Sequence, residues 1–258
     1  MEARFRQALG DAPYERGVHF LRMVQNLLLA VVPETERRRI EPYCERVELP
    51  PRARLCAPDE PPPYAYFPLN GVCSSLVHAQ NGEAVEVGLI GREGMVGLSL
   101  VLGEAANPFE IIVQVRGSAL RIERNVFVSR VLQTGHSFCD ALLKYTNLYL
   151  ATVAQTAVCN RVHRIEQRLA RWLLEVSDRA DTNVLPMTHE VLALMLGAYR
   201  PSITNALKVL QERGIVQVGR GRLTILDENR LEAEACECHQ AIRRRTAATL
   251  REIRRMAA

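Results

Sequence analysis

Arg200, Ser202, Thr204, Asn205 and Lys208 recur at helical steps along one short segment, and the residues between them, Ile203, Ala206, Leu207 and Leu210, are apolar and fall on the opposite side. A guanidinium can grip the two acceptors of a guanine edge, an amide those of adenine, and a hydroxyl either kind of base, so Arg200, Ser202, Thr204 and Asn205 are suited to reading base edges in a major groove. Thr188, Lys208, Arg220 and Arg222 are suited to phosphate oxygens, which fix position and supply salt-dependent affinity. Between Arg200 and Arg222 five basic residues face one acid, Glu212. The alternative reading of Gly219-Arg-Gly-Arg222 is a solvated hairpin with incidental arginines.

Such a row must be held by a helical hairpin, and the flanking residues supply one. Thr188 is a natural N-cap for a first helix reaching Leu196. Ala193 is small where two helices would cross, Gly197 can take the left-handed turn, and Ile203 packs back into the core; together they meet the steric demands of a helix-turn-helix. Pro201 is tolerated in the first turn of a second helix from about Arg200 to Arg213, with Gly214 as its stop. Ile215 to Val218, the turn Gly219 to Gly221 and Arg222 to Leu226 then form a β-hairpin wing.

Other chemistry is sparse. The chain carries no Walker loop, nucleophile elbow, Rossmann glycine set or His-Glu-x-x-His helix, which argues against an enzyme. The seven cysteines, at 44, 56, 73, 139, 159, 236 and 238, are odd in number and mostly in apolar surroundings, so they read as small core residues of a reducing compartment. Cys236-Glu-Cys-His239 gathers three soft ligands, but a metal site needs a fourth group, and neither a metal nor a cofactor is expected. His78 or Cys73 could in principle ligate haem, though a lone strand histidine is an ordinary structural residue.

The remaining 258-residue chain, 48% hydrophobic and 24% charged, divides by pattern. Residues 1–24 read as an extension. Residues 25–135 open on short helices around Pro33 and continue, from Val47 to Phe127, as short strands separated by turn signals; the clearest hairpin is Ser75 to Leu89, with Asn81-Gly82 expected to supply a pair of positive φ angles. Residues 136–161 lack Gly and Pro, and Leu142, Tyr145, Tyr149, Thr152, Thr156 and Cys159 recur at three- and four-residue steps. That stripe is assigned to a homodimer seam, the alternative being a helix lying on its own core. Residues 162–240 hold a core helix with Ile165, Leu169, Trp172, Leu173 and Val176 on one face, then the helix-turn-helix and wing. Residues 241–258 carry six arginines against Glu252 and read as a basic helical tail. No apolar run reaches the length of a membrane span and no signal-peptide core is present, so a cytoplasmic protein without membrane association is expected.

Leu185-Pro-Met-Thr-His-Glu-Val-Leu-Ala-Leu-Met-Leu-Gly197, Ala206-Leu-Lys-Val-Leu-Gln-Glu-Arg-Gly214 and Gly219-Arg-Gly-Arg-Leu-Thr-Ile-Leu-Asp227 resemble the Crp/Fnr family of bacterial regulators, as do Tyr66-Phe-Pro-Leu-Asn-Gly71 and Val87-Gly-Leu-Ile-Gly-Arg-Glu-Gly-Met-Val-Gly97. The resemblance spans roughly residues 25 to 238. It implies an α+β architecture: an N-terminal cyclic-nucleotide-binding-like β-roll, a long dimerisation helix and a C-terminal winged helix-turn-helix that binds double-stranded DNA at a palindromic operator. RNA polymerase and an unidentified small-molecule effector are the further partners expected.

Two departures sharpen that expectation. In the family the second helix reads bases with an Arg, a Glu and a second basic residue, where this chain has Arg200, Pro201 and Asn205; Pro201 cannot accept from cytosine and Asn205 favours adenine, so the operator differs. Members that bind cyclic nucleotide hold the ribose with a Glu after a Gly and the phosphate with an Arg. Here Leu98 follows Gly97, and no Arg lies between Arg92 and Arg116, which argues against cyclic AMP. The cysteine cluster of an Fnr-type iron-sulfur sensor is also absent near Cys44. A constitutive binder with a vestigial sensor, or a nucleotide-binding module that docks a protein partner, are the alternatives.

Overall fold

The computed structural model describes residues 25–256 apart from 105 and 134, so the expected extension 1–24 lies outside the described residues. The chain begins with α1 (Leu27–Ala30) and α2 (Glu34–Ile40), followed by a 3-10 turn. Strands β1 (Glu45–Leu49), β2 (Arg54–Cys56), β3 (Tyr64–His78) and β4 (Ala84–Ile90) come next, then the short α3 (Leu98–Val101) and β5 (Glu110–Glu123). After α4 (Arg124–Val126) and a wide turn run the long α5 (His136–Val162) and α6 (Ile165–Ala180). The C-terminal part holds β6 (Val184–Leu185), α7 (His189–Met195), α8 (Arg200–Glu212), β7 (Val216–Gly219), β8 (Arg222–Ile225), α9 (Glu228–Glu234) and α10 (Cys238–Met256). Among the described residues no helix is long and apolar enough to cross a membrane.

The first sheet is antiparallel in the order β1-β5-β3-β4, with β2 also on β5. The long strands β3 and β5 coil because their register shifts near Asn70. There a Cβ on Gly71 would stand 2.7 Å from the Val115 carbonyl oxygen, and one on Gly117 still closer to Asn70, so only glycine admits this backbone approach. At the β3–β4 turn only Gly82 has positive φ, at 85°. The expected positive-φ pair is therefore corrected: the loop is longer than a two-residue turn, and Asn81 instead accepts from the Glu83 backbone N–H at 3.1 Å.

Two hydrophobic cores share this sheet. The first lies between the roll and α5, with Phe67, Met95, Ile122, Phe127, Phe138 and Leu142 at its centre. The side chain of Glu36 caps α5 by accepting from the Phe138 N–H at 3.0 Å. The second core joins the outer face of the roll, through Val72, Leu76, Leu89 and Val115, to Trp172 and the apolar side of α8. The roll and the helical C-terminal part are thus packed directly on each other.

The stripe assigned to a dimer seam is corrected by this packing. Leu142, Tyr145, Tyr149, Thr152, Thr156 and Cys159 are all buried within the single chain. Tyr145 and Tyr149 fit against glycines: a Cβ on Gly94 would collide with the Tyr145 hydroxyl and one on Gly88 would stand 2.8 Å from that of Tyr149, which also bonds Ser75. The helix presents other residues to solvent, namely Leu143, Asn147, Leu150, Ala154, Ala157 and Val158. The expected basic tail is helical, but α10 begins before it, at Cys238, and lies against α5, burying Ile242, Leu250 and Ile253, with Lys144 paired to Glu252 at 2.6 Å.

Candidate nucleic-acid interface

The two helices of the reading head form as their residue types dictate. The Thr188 hydroxyl accepts from the Val191 N–H at 3.3 Å and starts α7. Gly197 has φ of 51°, Ala198 donates to the Ala193 carbonyl at 2.9 Å, and Ile203 is fully buried, so the triplet predicted from the sequence does close the turn. Pro201 sits in the first turn of α8, and Gly214 follows it with φ of 67°. Ile203, Ala206, Leu207 and Leu210 are buried beneath the helix.

Arg200, Ser202, Thr204, Asn205 and Lys208 are consequently all exposed. They are not equally free. Arg200 Nη2 is paired with Glu190 Oε1 at 2.8 Å, the Thr204 hydroxyl donates to the Arg200 carbonyl at 3.1 Å and lies 3.0 Å from His189 Nδ1, and Lys208 stands 3.8 Å from Glu212. The Glu190 carboxyl is held below the usual range by a hydrogen bond from its own backbone N–H, then by Thr188 and Arg200. Thr188 is half-buried and its oxygen is already engaged as a cap, so any phosphate contact from it must come from the hydroxyl hydrogen.

The wing is slightly tighter than the sequence suggests. Gly219 pairs with Arg222 in the β7–β8 ladder, leaving Arg220-Gly221 as the tip, with Gly221 at φ of 69°. Arg220 and Arg222 are exposed, and β6 adds a third strand beside β8. The Gln211 side chain braces the wing by accepting from the Val218 N–H at 3.1 Å. Sequence reasoning missed Tyr199, which is 81% exposed at the N-cap of α8, and Glu190, which holds Arg200. An aromatic residue directly before the polar row that starts at Arg200 was the available signal for Tyr199.

A buried polar seam links this head to the roll. Trp172 Nε1 donates to Glu86 Oε1 at 2.8 Å, and the Ser74 hydroxyl donates to Glu86 Oε2 at 2.6 Å. Burial pushes the Glu86 carboxyl up to about 8, against the lowering effect of those two hydrogen bonds. Arg179 pairs with Glu93 at 2.7 Å and approaches Glu175, which also holds Arg171 at 2.8 Å. The turn of the helix-turn-helix touches the β3–β4 hairpin itself: a Cβ on Gly197 would stand 2.9 Å from Val85.

In the roll, Gly97 takes φ of 99° and leads into α3, whose first residue is Leu98. His78 is a half-exposed strand residue paired with Glu110 at 2.7 Å, and Cys73 is buried in the core. Four side chains of metal-ligating type meet elsewhere: Cys159, His163, Cys236 and Cys238. His239, the third member of the sequence motif, instead faces Glu232.

Residues 167–234 match the Crp-like helix-turn-helix domain family, and residues 46–134 match the cyclic nucleotide-binding domain family. No curated protein matches the chain. Among solved structures it is similar to FixK2 from Bradyrhizobium japonicum, at 17% identity and a TM-score of 0.63 over 75% of this chain and 98% of that one. A transcriptional regulator of the CRP/FNR family from Thermus thermophilus aligns at 21% identity and a TM-score of 0.62, covering 74% and 98%. The c-di-GMP responsive global regulator CLP of Xanthomonas campestris aligns at 16% and 0.60, covering 74% and 97%. At these identities the structures establish a shared fold.

Proposed function

Because the chain belongs to the Crp/Fnr family of transcriptional regulators, we propose that it binds a palindromic operator as a homodimer and that a signal other than cyclic AMP, received at the roll, alters that binding. The observation that carries the DNA-binding part is the row of exposed polar side chains on α8, held over a buried apolar face and flanked by the Arg220 tip. Arg200, Ser202, Thr204 and Asn205 face bases; Lys208, Arg220, Arg222 and the Thr188 hydroxyl face phosphates. The family's members are regulators rather than enzymes.

The homodimer seam in this reading is the outward stripe of α5. Leu143, Asn147, Leu150, Ala154 and Ala157 alternate four- and three-residue steps, with Leu143 50% and Leu150 66% exposed. A second copy of the same helix fits such a stripe, and one polar Asn in an apolar seam fixes register. Leu98 and the lack of an arginine between Arg92 and Arg116 support a signal without the cyclic phosphate, and the Glu86–Trp172 and Glu93–Arg179 contacts supply a route from roll to head.

Selecting bound fragments from a random DNA pool, followed by sedimentation of Leu150→Asp and Arg200→Ala variants, tests this reading. Leu150→Asp is expected to be folded, monomeric and unable to hold a two-half-site fragment, whereas Arg200→Ala stays dimeric and loses discrimination at one base position. A selected pool with no symmetric sequence, or a Leu150→Asp variant that sediments as a dimer, refutes it.

A further inference from the structure

We propose that Cys159, His163, Cys236 and Cys238 form a four-coordinate site for a single zinc ion, which fastens the C-terminal helix α10 to the end of α5. The four donor atoms come from two distant parts of the chain yet all lie within 4.8 Å of one another. Cys159 and His163 are one helical turn apart at the end of α5, Cys236 stands in the turn between α9 and α10, and Cys238 opens α10.

Two of the donor spacings match a tetrahedral ion, and the others stay within 4.8 Å. Zinc–sulfur bonds of about 2.3 Å put neighbouring sulfurs roughly 3.8 Å apart. Cys159 Sγ lies 3.5 Å from Cys236 Sγ, and Cys238 Sγ lies 3.7 Å from His163 Nδ1. An iron-sulfide cluster would force the thiolates wider, because several irons and bridging sulfides must fit between them. Three sulfurs and one imidazole are the donor set that zinc takes in closed structural sites.

The surroundings are arranged as a metal's outer shell requires. His163 Nε2 is 3.1 Å from the Glu237 carboxylate, so its proton sits on Nε2 and the Nδ1 lone pair points at the sulfurs. Gln155 Nε2 donates to Cys238 Sγ at 3.1 Å. Three thiolates and one zinc leave one net negative charge. The buried Arg171 and the half-buried Arg168 interact electrostatically with Cys159 and Cys236, and each has a buried Nε without a hydrogen-bond partner. Binding releases the three thiol protons to water, and the neutral imidazole coordinates without losing one. The site stands where α5 gives way to α6, so it anchors the junction between sensor and reading head as well as α10.

The test uses the full chain, purified anaerobically under reducing conditions after growth with added zinc. Elemental analysis is expected to find about one zinc per chain, and replacement by cobalt to give the intense visible bands of tetrahedral thiolate ligation. Cys159→Ser and Cys238→Ser should lower zinc affinity by at least about tenfold, while Cys44→Ser and His239→Ala keep it. Should Cys159→Ser fail to fold by circular dichroism, His163→Gln, at the exposed side of the cluster, supplies the same readout. Removal of zinc by a chelator is expected to speed tryptic cleavage at the exposed arginines of α10 while the wing is cut at its former rate. Zinc below about a tenth of an equivalent after reconstitution, full retention in a Cys159→Ser/Cys238→Ser double variant, or iron with acid-labile sulfide in its place overturns the assignment.

Discussion

The seam between roll and reading head and the outward face of α8 are built from the same residue types with opposite treatment. In the seam Glu86, Glu93, Arg171, Glu175 and Arg179 are removed from water and paired inside the chain. On α8 and the wing, Arg200, Asn205, Lys208 and Arg220 are left to solvent or to exposed, replaceable partners. Buried charges lose heavily when one partner disappears, so the seam can act as a latch; exposed ones lose little and are available to another molecule.

Breaking the latch gives the largest effect. Arg179→Ala leaves Glu93 buried without its partner and is expected to cost about 3–5 kcal/mol. Urea unfolding checks this, with the fluorescence of the single tryptophan, Trp172, reporting the seam itself. A loss no larger than that of an exposed pair would erase the distinction between the seam and the α8 face.

Glu86 tests the latch by pH. Its folded carboxyl, raised to about 8 by burial, keeps a proton that the unfolded chain, with an ordinary carboxylate, releases near 4.5. The stability that this contributes is complete below about 4.5 and is lost as pH rises toward 8. Glu86→Gln should flatten the fall in urea midpoint across that window. An unchanged slope would place the titration elsewhere.

The exposed face responds more weakly and more selectively. Arg200→Ala should cost about 1–3 kcal/mol on the selected operator and little on random DNA. Arg220→Ala should weaken both equally and reduce the salt slope by about one. Salt titrations by fluorescence anisotropy separate the two, and equal losses on both DNAs for both variants would remove the division between reading and positioning.

What could be read from the sequence follows locality. The reading head was legible because Thr188, Ala193, Gly197, Ile203 and Gly214 each act on a neighbour within a turn or two. The direction of α5 was not. Its inward and outward stripes share the same three-four spacing, and what selects the inward one is the pair of glycines at 88 and 94 that receive Tyr149 and Tyr145 from a distant strand and loop. The cysteine cluster failed for the same reason. His163 and Cys159 have the one-turn spacing of paired ligands, but 77 residues separate Cys159 from Cys236, and only the packing of α10 on α5 brings them together.

The ion pair between Arg200 and Glu190 bears on how the proposed operator would be met. Both partners stand in solvent, so the guanidinium exchanges this carboxylate readily for other acceptors. Under the proposed function, Glu190 would hold the side chain in place between encounters, and Arg200 would leave it at little cost wherever a base edge offers paired acceptors.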